Sequence, residues 1–171
     1  MYHRVALFLF VFCSVNCISP NTLADEKPST ETSASLEDIN KGKEIYKKSN
    51  CAFCHGWSGN GRGHPRSPGV ASNLRLSQLD REAMKHIIRC GVPGGAMPYH
   101  DRMAYRDKRC GIEPGSIKKT DLPTKGKSIQ AREWDALLDY IIALRADGTP
   151  DLEQCEAFFK PGSLNCQYLK K

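Results

Sequence analysis

A five-residue segment, Cys51-Ala52-Phe53-Cys54-His55, brings two thiols and an imidazole together in a C-x-x-C-H motif. Two thiols at this spacing can each form a thioether bond to one porphyrin, and the adjacent imidazole can bind its iron. The motif therefore predicts one covalently attached haem c. Cys51 and Cys54 are the expected attachment points, and His55 is the expected fifth ligand of the iron.

Two other kinds of site also use closely spaced cysteines. A thioredoxin-like dithiol lies in a βαβ pattern, which this sequence does not show. A zinc ribbon needs a second close pair of cysteines, whereas Cys90, Cys110, Cys155 and Cys166 are widely scattered. Haem is therefore the favoured interpretation, and a structural metal at the three side chains of the motif stays as an alternative.

The N-terminus is typical of an exported protein. A short basic region ending at Arg4 precedes an apolar run over residues 5–15, and small residues lead up to Ala24. The run is shorter than the ~20 residues that a membrane span requires, so a retained anchor is the less favoured reading. The pattern predicts a signal peptide over residues 1–24, cleavage near Ala24, a periplasmic location and no stable membrane insertion afterwards.

Four cysteines remain once the two of the motif are assigned to haem and the signal peptide is removed. An even number of cysteines in an exported protein indicates two disulfides, for which three pairings exist. We favour Cys90 with Cys110 and Cys155 with Cys166, because each of these pairs closes a local loop.

The charge of the chain is unevenly distributed. The net charge is +6, yet residues 60–132 alone hold 15 Lys and Arg against 6 Asp and Glu. In an exported haem protein such a basic region predicts steering toward an acidic redox partner protein, with no role for nucleic acid. A merely solvated surface is the alternative.

Hydrophobic periodicity predicts an all-α chain. Residues 25–36 form a flexible lead-in, and a helix then runs from near Leu36 into the motif with Ile45 and Tyr46 on its buried side. Asp80 and Gly91 bound a second helix. A third begins at Ser128 and has one apolar face. The segments between them are rich in Gly and Pro, and no alternating strand pattern is present.

A haem that only transfers electrons needs a second axial ligand, and a thioether is a suitable one. Met84 falls on the apolar stripe of its helix, where a core residue is expected. Met97 follows Gly94, Gly95 and Ala96 and precedes a proline, a small-residue approach to a flat ligand. Met97 is the predicted sixth ligand. Four other side chains stay as alternatives: Met103, His100, His64 and His86.

Taken together, the order of features over about residues 37–146 resembles the class I c-type cytochromes. These features are a helix, the C-x-x-C-H motif, a Gly-rich loop with Pro, a short helix, a Gly-x-Met-Pro segment and an amphipathic C-terminal helix. The resemblance implies the class I cytochrome c fold, with helices wrapped around one covalently bound haem. It also implies that Pro68 contacts the cofactor, its carbonyl accepting a hydrogen bond from the proximal imidazole. Gly42, Tyr46 and Tyr140 match the family's crossing of terminal helices.

The expected organisation is a signal peptide (1–24), a lead-in (25–36), a cytochrome c domain (37–146) and a disulfide-bearing C-terminal tail (147–171). The domain departs from the minimal family pattern by a long loop insertion over residues 98–127. Residues 94–102 and 104–111 look like the segment after the ligand Met in cytochromes that serve periplasmic quinoprotein methanol and alcohol dehydrogenases.

These resemblances imply a periplasmic one-electron carrier. It would accept electrons from a quinoprotein (PQQ) methanol or alcohol dehydrogenase and pass them to a downstream cytochrome or oxidase. No bond-making chemistry and no catalytic residue are expected. The alternative is a haem-based sensor or enzyme in which the sixth position of the iron is open to a small ligand.

Overall fold

The computed structural model describes residues 34–146 and 148–169. The predicted signal peptide, its cleavage site near Ala24 and most of the predicted lead-in lie outside the described residues. Those assignments stay predictions. Within the described ranges the chain is helical and contains no strand, apart from an isolated bridge between Tyr99 and Lys125. The predicted all-α class is therefore confirmed.

Two helices separated by a sharp break carry the N-terminal part of the fold. Helix α1 spans Leu36–Lys48, and the side chain of Ser35 caps it by accepting a hydrogen bond from the N–H of Asp38. Helix α2 spans only Cys51–His55. Asn50 between them adopts a left-handed conformation with φ 67°. The prediction of one continuous helix running into the motif was therefore wrong, because an α-helix cannot pass through a left-handed residue.

Helix α3 spans Arg81–Cys90 and has the two ends predicted from the sequence. The Asp80 carboxylate accepts a hydrogen bond of 2.7 Å from the N–H of Ala83. Gly91 ends the helix at a positive φ of 65°.

Helix α4 spans Trp134–Ala146 and begins six residues later than the predicted start at Ser128. A single 3₁₀ turn precedes it, in which Gln130 and Glu133 form a reciprocal capping box. The chain before this turn is extended, because the N–H of Ile129 bonds to the carbonyl of His100 instead of continuing a helix. The predicted apolar face of α4 is buried as expected: Trp134, Leu137, Leu138, Ile141 and Leu144.

Helices α1 and α4 cross in direct backbone contact. A Cβ added to Gly42 would lie 1.9 Å from the carbonyl oxygen of Ala136, so only glycine allows this approach. Beside the crossing, the rings of Tyr46 and Tyr140 pack edge to face with centroids 5.3 Å apart. The predicted roles of Gly42, Tyr46 and Tyr140 in the helix crossing are confirmed.

The insertion over residues 98–127 is mostly irregular, as predicted, with one 3₁₀ turn at Lys108–Cys110. The predicted disulfide between Cys90 and Cys110 joins it to the end of α3. Asp101, only 9% exposed, pairs with the guanidinium groups of Arg89 and Arg109, each at 3.0 Å. The disulfide and this charge cluster both attach the insertion to α3, together with backbone bonds such as that from the N–H of Asp101 to the carbonyl of Arg89.

The C-terminal tail folds into helix α5, Leu152–Phe158, and a 3₁₀ helix, Leu164–Leu169. The second predicted disulfide, Cys155–Cys166, joins the two. The ring of Phe158 is 5% exposed and lies 6.4 Å from the ring of Tyr46, centroid to centroid, within the main hydrophobic core. Residues of the tail therefore complete the core.

Among the helices that the structure describes, none combines the length and the apolar character needed to cross a bilayer.

Candidate haem site

One cavity of about 360 Å³ lies between α2, α3, α4 and the loop that follows α2. Its size falls within the ~300–1,000 Å³ of small-molecule and cofactor sites. Most of its lining is apolar. All five residues predicted from the sequence to contact the cofactor line this cavity: Cys51, Cys54, His55, Pro68 and Met97. The structure thus brings the motif and the predicted sixth ligand to one place.

His55 is oriented by the backbone of the loop after α2. Its Nδ1 lies 2.9 Å from the carbonyl oxygen of Ser72. A carbonyl only accepts, so Nδ1 carries the proton and donates, which leaves Nε2 with a lone pair for a metal ion. Burial lowers the pKa of His55, and the bond to Ser72 opposes this effect without cancelling it. The neutral imidazole, which is the ligating form, is therefore favoured.

The carbonyl that accepts from His55 differs from the one implied by the family resemblance. Pro68 was expected to provide it, and Pro68 instead lines the cavity. Among the backbone bonds that fix the course of this loop, the N–H of Gly61 donates to the carbonyl of His55 and the N–H of Leu74 donates to the carbonyl of Gly59. Ser72 lies two residues before Leu74, and its carbonyl oxygen is the one that accepts from the imidazole of His55.

Both thiols of the motif are free and partly buried. Burial raises the pKa of Cys51 to about 12, and burial also raises the pKa of Cys54. Both cysteines line the cavity, as covalent attachment to a cofactor bound there requires. Within the described ranges, no group of three or more His, Cys, Asp or Glu side chains is arranged to hold a metal ion.

Two thioethers line the cavity, those of Met97 and Met84. Met84 is 5% exposed and belongs to the core, as expected, but the same side chain also faces the cavity. Sequence reasoning missed this second role, since a core stripe and a cofactor-facing stripe give the same periodicity. The four other candidate ligands are absent from the cavity lining: Met103, His100, His64 and His86.

Two of these histidines have clear roles elsewhere. His100 is 3% exposed, and its Nδ1 lies 2.7 Å from the carbonyl oxygen of Lys127, so the ring fastens the end of the insertion. The ring of His64 stacks on that of Phe53 with centroids 5.3 Å apart. Of the ligands considered from the sequence, Met97 is the one that lies at the cavity without another bond to its sulfur among the described residues.

The segment that carries Met97 is fitted closely against the end of α3. A Cβ on Gly91 would lie 2.7 Å from the carbonyl oxygen of Met97, and φ at Gly91 is positive. The same carbonyl accepts a bond of 3.1 Å from the N–H of Val92. Glycine is therefore required at residue 91 for Met97 to reach its place in the cavity wall.

Four basic side chains that follow Met97 within the basic region 60–132 differ in whether their charges are paired. Arg102 and Arg106 are exposed and have no ion pair among the described residues. Lys108 is also exposed but pairs with Glu113 at 2.9 Å. Arg109 is held by Asp101 and by a second carboxylate at residue 107. Arg109 therefore serves the fold of the insertion, and Arg102 and Arg106 are the better candidates for contact with a partner.

Comparison with known proteins yields one family. Residues 37–110 match the family model described as cytochrome C oxidase, cbb3-type, subunit III. No curated protein and no solved structure gives a significant match to the chain. The matched region contains the C-x-x-C-H motif, α3 and Met97, whereas α4 and the tail lie beyond it. Together with the cavity, the match supports a c-type cytochrome domain and a haem-based electron carrier.

Proposed function

We propose that this protein is a periplasmic monohaem c-type cytochrome that carries single electrons between two larger redox proteins. The observation that supports it best is the convergence of two free thiols, an oriented imidazole and a thioether on one apolar cavity. These are the donor groups that hold a haem c and fill both axial positions of its iron.

When bound, haem c supplies reversible one-electron transfer at its iron. The residues of the chain hold and shield it. Cys51 and Cys54 would hold the haem covalently, and the bond from His55 to the Ser72 carbonyl fixes the plane and the tautomer of the imidazole ring. Met97 lines the same cavity, and its thioether would hold the iron and limit the access of other ligands. The apolar walls exclude water, which raises the reduction potential relative to an exposed site.

The two redox partners follow from different observations. The family match names a subunit of an oxidase, which favours a terminal oxidase or its cytochrome as the electron acceptor. The segment after Met97, similar to cytochromes of quinoprotein dehydrogenases, favours a methanol or alcohol dehydrogenase as the donor. Arg102 and Arg106 lie in that segment and are exposed. They suit an acidic partner surface.

An intact-mass measurement of the purified, denatured protein tests attachment and export together. The expected mass is that of the chain without residues 1–24 plus one haem. A Cys51→Ala/Cys54→Ala variant should lack the added mass. A chain that retains residues 1–24 contradicts the proposed export, and a double variant that keeps the added mass contradicts thioether attachment.

Carbon monoxide binding separates the carrier from a sensor or an enzyme. With Met97 on the iron, the reduced wild-type protein should show low-spin bands that carbon monoxide does not change. Met97→Ala should bind carbon monoxide and have a lower potential. Carbon monoxide binding by the wild-type protein at the level of Met97→Ala would favour the open-site alternative.

Electron transfer at different salt concentrations tests the partner surface. The rate of reduction by a quinoprotein dehydrogenase should fall steeply between 0.1 M and 1 M salt, as the Debye length drops from ~10 Å to ~3 Å. Arg102→Glu/Arg106→Glu should lower the rate at low salt and leave the spectrum unchanged. Lys41→Glu/Lys160→Glu makes the same change in net charge on exposed side chains outside residues 60–132. Equal effects of the two double variants contradict docking at Arg102 and Arg106.

A further inference from the structure

The cavity contains one thioether more than a haem with a histidine ligand can use. Met84 enters it from α3, and Met97 enters it from the segment that folds back along the end of α3. Methionine has three rotatable side-chain bonds and adapts easily to its surroundings. Some feature of the fold must therefore keep Met84 from competing for the iron.

Arg145 is the residue in contact with the sulfur of Met84. It lies in the last turn of α4, and its Nη2 donates to the carbonyl oxygen of Leu79 at 2.8 Å and to Sδ of Met84 at 3.0 Å. Its Nε is buried and has no hydrogen-bond partner within the described residues. The guanidinium group is thus held from one side, by one backbone carbonyl and one thioether.

We propose that Arg145 selects the axial ligand: by donating to Sδ of Met84 it withholds that thioether from the iron and leaves the sixth position to Met97. This inference rests on the proposed function, since it requires a haem in the cavity. Gly91 and the small residues before Met97 let that segment approach the cavity, but they do not keep the thioether of Met84 away from it. The distinction comes from α4.

The chemistry of sulfur supports this role. A thioether is a weak acceptor and binds a metal ion through a lone pair. A lone pair directed at an N–H of Arg145 is not available to iron, and an adjacent positive charge weakens the donor strength of the remaining pair. Met97 has no such neighbour: its carbonyl oxygen bonds to Val92, and its sulfur has no hydrogen bond among the described residues.

The test removes the predicted ligand first and the selecting residue second. Met97→Ala should have an open sixth position that binds imidazole. Adding Arg145→Leu should free Met84 to take this position and should weaken imidazole binding at least tenfold. With methyl-labelled methionine, the double variant should also show an upfield-shifted methyl resonance, the mark of a thioether held over a haem. Adding Met84→Leu as a third change should abolish that resonance and restore imidazole binding.

Controls separate ligand selection from a general effect on folding. Met97→Ala/Arg132→Leu removes an exposed arginine outside the cavity and should bind imidazole as Met97→Ala does. If the Arg145→Leu double variant does not fold, Met97→Ala/Arg145→Ala takes its place, because alanine also removes the N–H that donates to Met84. Imidazole affinity equal to that of Met97→Ala in the folded variant overturns the inference. Absence of haem from the wild-type protein overturns the proposed function instead.

Discussion

Removing the ring of Phe158 tests whether the C-terminal tail is part of the cooperative fold. This side chain is 5% exposed and lies in the main core although it belongs to the tail. Its ring centroid is 6.4 Å from that of Tyr46 and 6.2 Å from that of Trp57, two residues after the haem motif. The ammonium group of Lys47 lies 5.1 Å from the same ring.

The expected loss of stability follows from this environment. A buried Phe→Ala substitution costs roughly 3–5 kcal/mol, and the upper part of this range applies because the aromatic and cation contacts are lost as well. Domains of this size are stable by only about 5–15 kcal/mol. With an m-value of about 2 kcal/mol/M in urea, the midpoint of unfolding should fall by about 2 M.

Urea unfolding of the holoprotein, followed by far-ultraviolet circular dichroism and by haem absorption, measures the loss. Phe159→Ala is the matched control, because its ring is 37% exposed and its removal should cost only about 1–2 kcal/mol. Coincident transitions by both probes are expected. If Phe158→Ala costs no more than Phe159→Ala, the tail is an appendage and the reasoning from core packing is wrong.

Three other substitutions test the frame around the cavity. Gly42→Ala should destabilise the protein by about 1–3 kcal/mol in urea unfolding despite the ~1 kcal/mol gain in helix propensity, whereas Lys41→Ala on the exposed face should be near neutral. Asp101→Asn should cost about 1.5–3 kcal/mol at pH 7. Burial raises the pKa of Asp101, but hydrogen bonds from the Met103 N–H and from Arg109 and Arg89 outweigh burial and lower the pKa. The stability that this carboxylate contributes is lost as it is protonated, so the difference in unfolding free energy between the wild type and Asp101→Asn should shrink as pH falls below ~4. Cys90→Ala/Cys110→Ala should lower the free energy of unfolding by about 3 kcal/mol, as expected for a disulfide that closes a loop of 20 residues. An unchanged melting temperature would contradict the attachment of the insertion by this disulfide.

Features encoded over short distances in the sequence could be predicted well. The haem motif is five residues long, so its helical geometry alone places both thiols and the imidazole together. Both ends of α3 follow from Asp80 and Gly91, whose side-chain chemistry acts within one turn. The two disulfides also follow from locality, since each closes a short loop.

Features that depend on tertiary packing were harder to predict. Which carbonyl of the loop accepts from His55 depends on where the loop is anchored, and no periodic pattern distinguishes Ser72 from Pro68. Helix α5 was missed because seven residues give too few turns for periodicity to be visible. The Asp151 cap, whose carboxylate accepts from the N–H of Gln154 at 2.8 Å, was the available signal.

The position of the predicted sixth ligand is determined from both sides of the cavity wall. On one side, Gly91 permits the close approach of the Met97 carbonyl, and the Cys90–Cys110 disulfide holds the chain beyond Met97 against α3. On the other side, α4 holds Arg145 against Met84. An electron carrier works fastest when its ligands move little between oxidation states. In the proposed carrier, segments far from the motif in sequence would therefore decide which sulfur binds the iron and how firmly that sulfur is held.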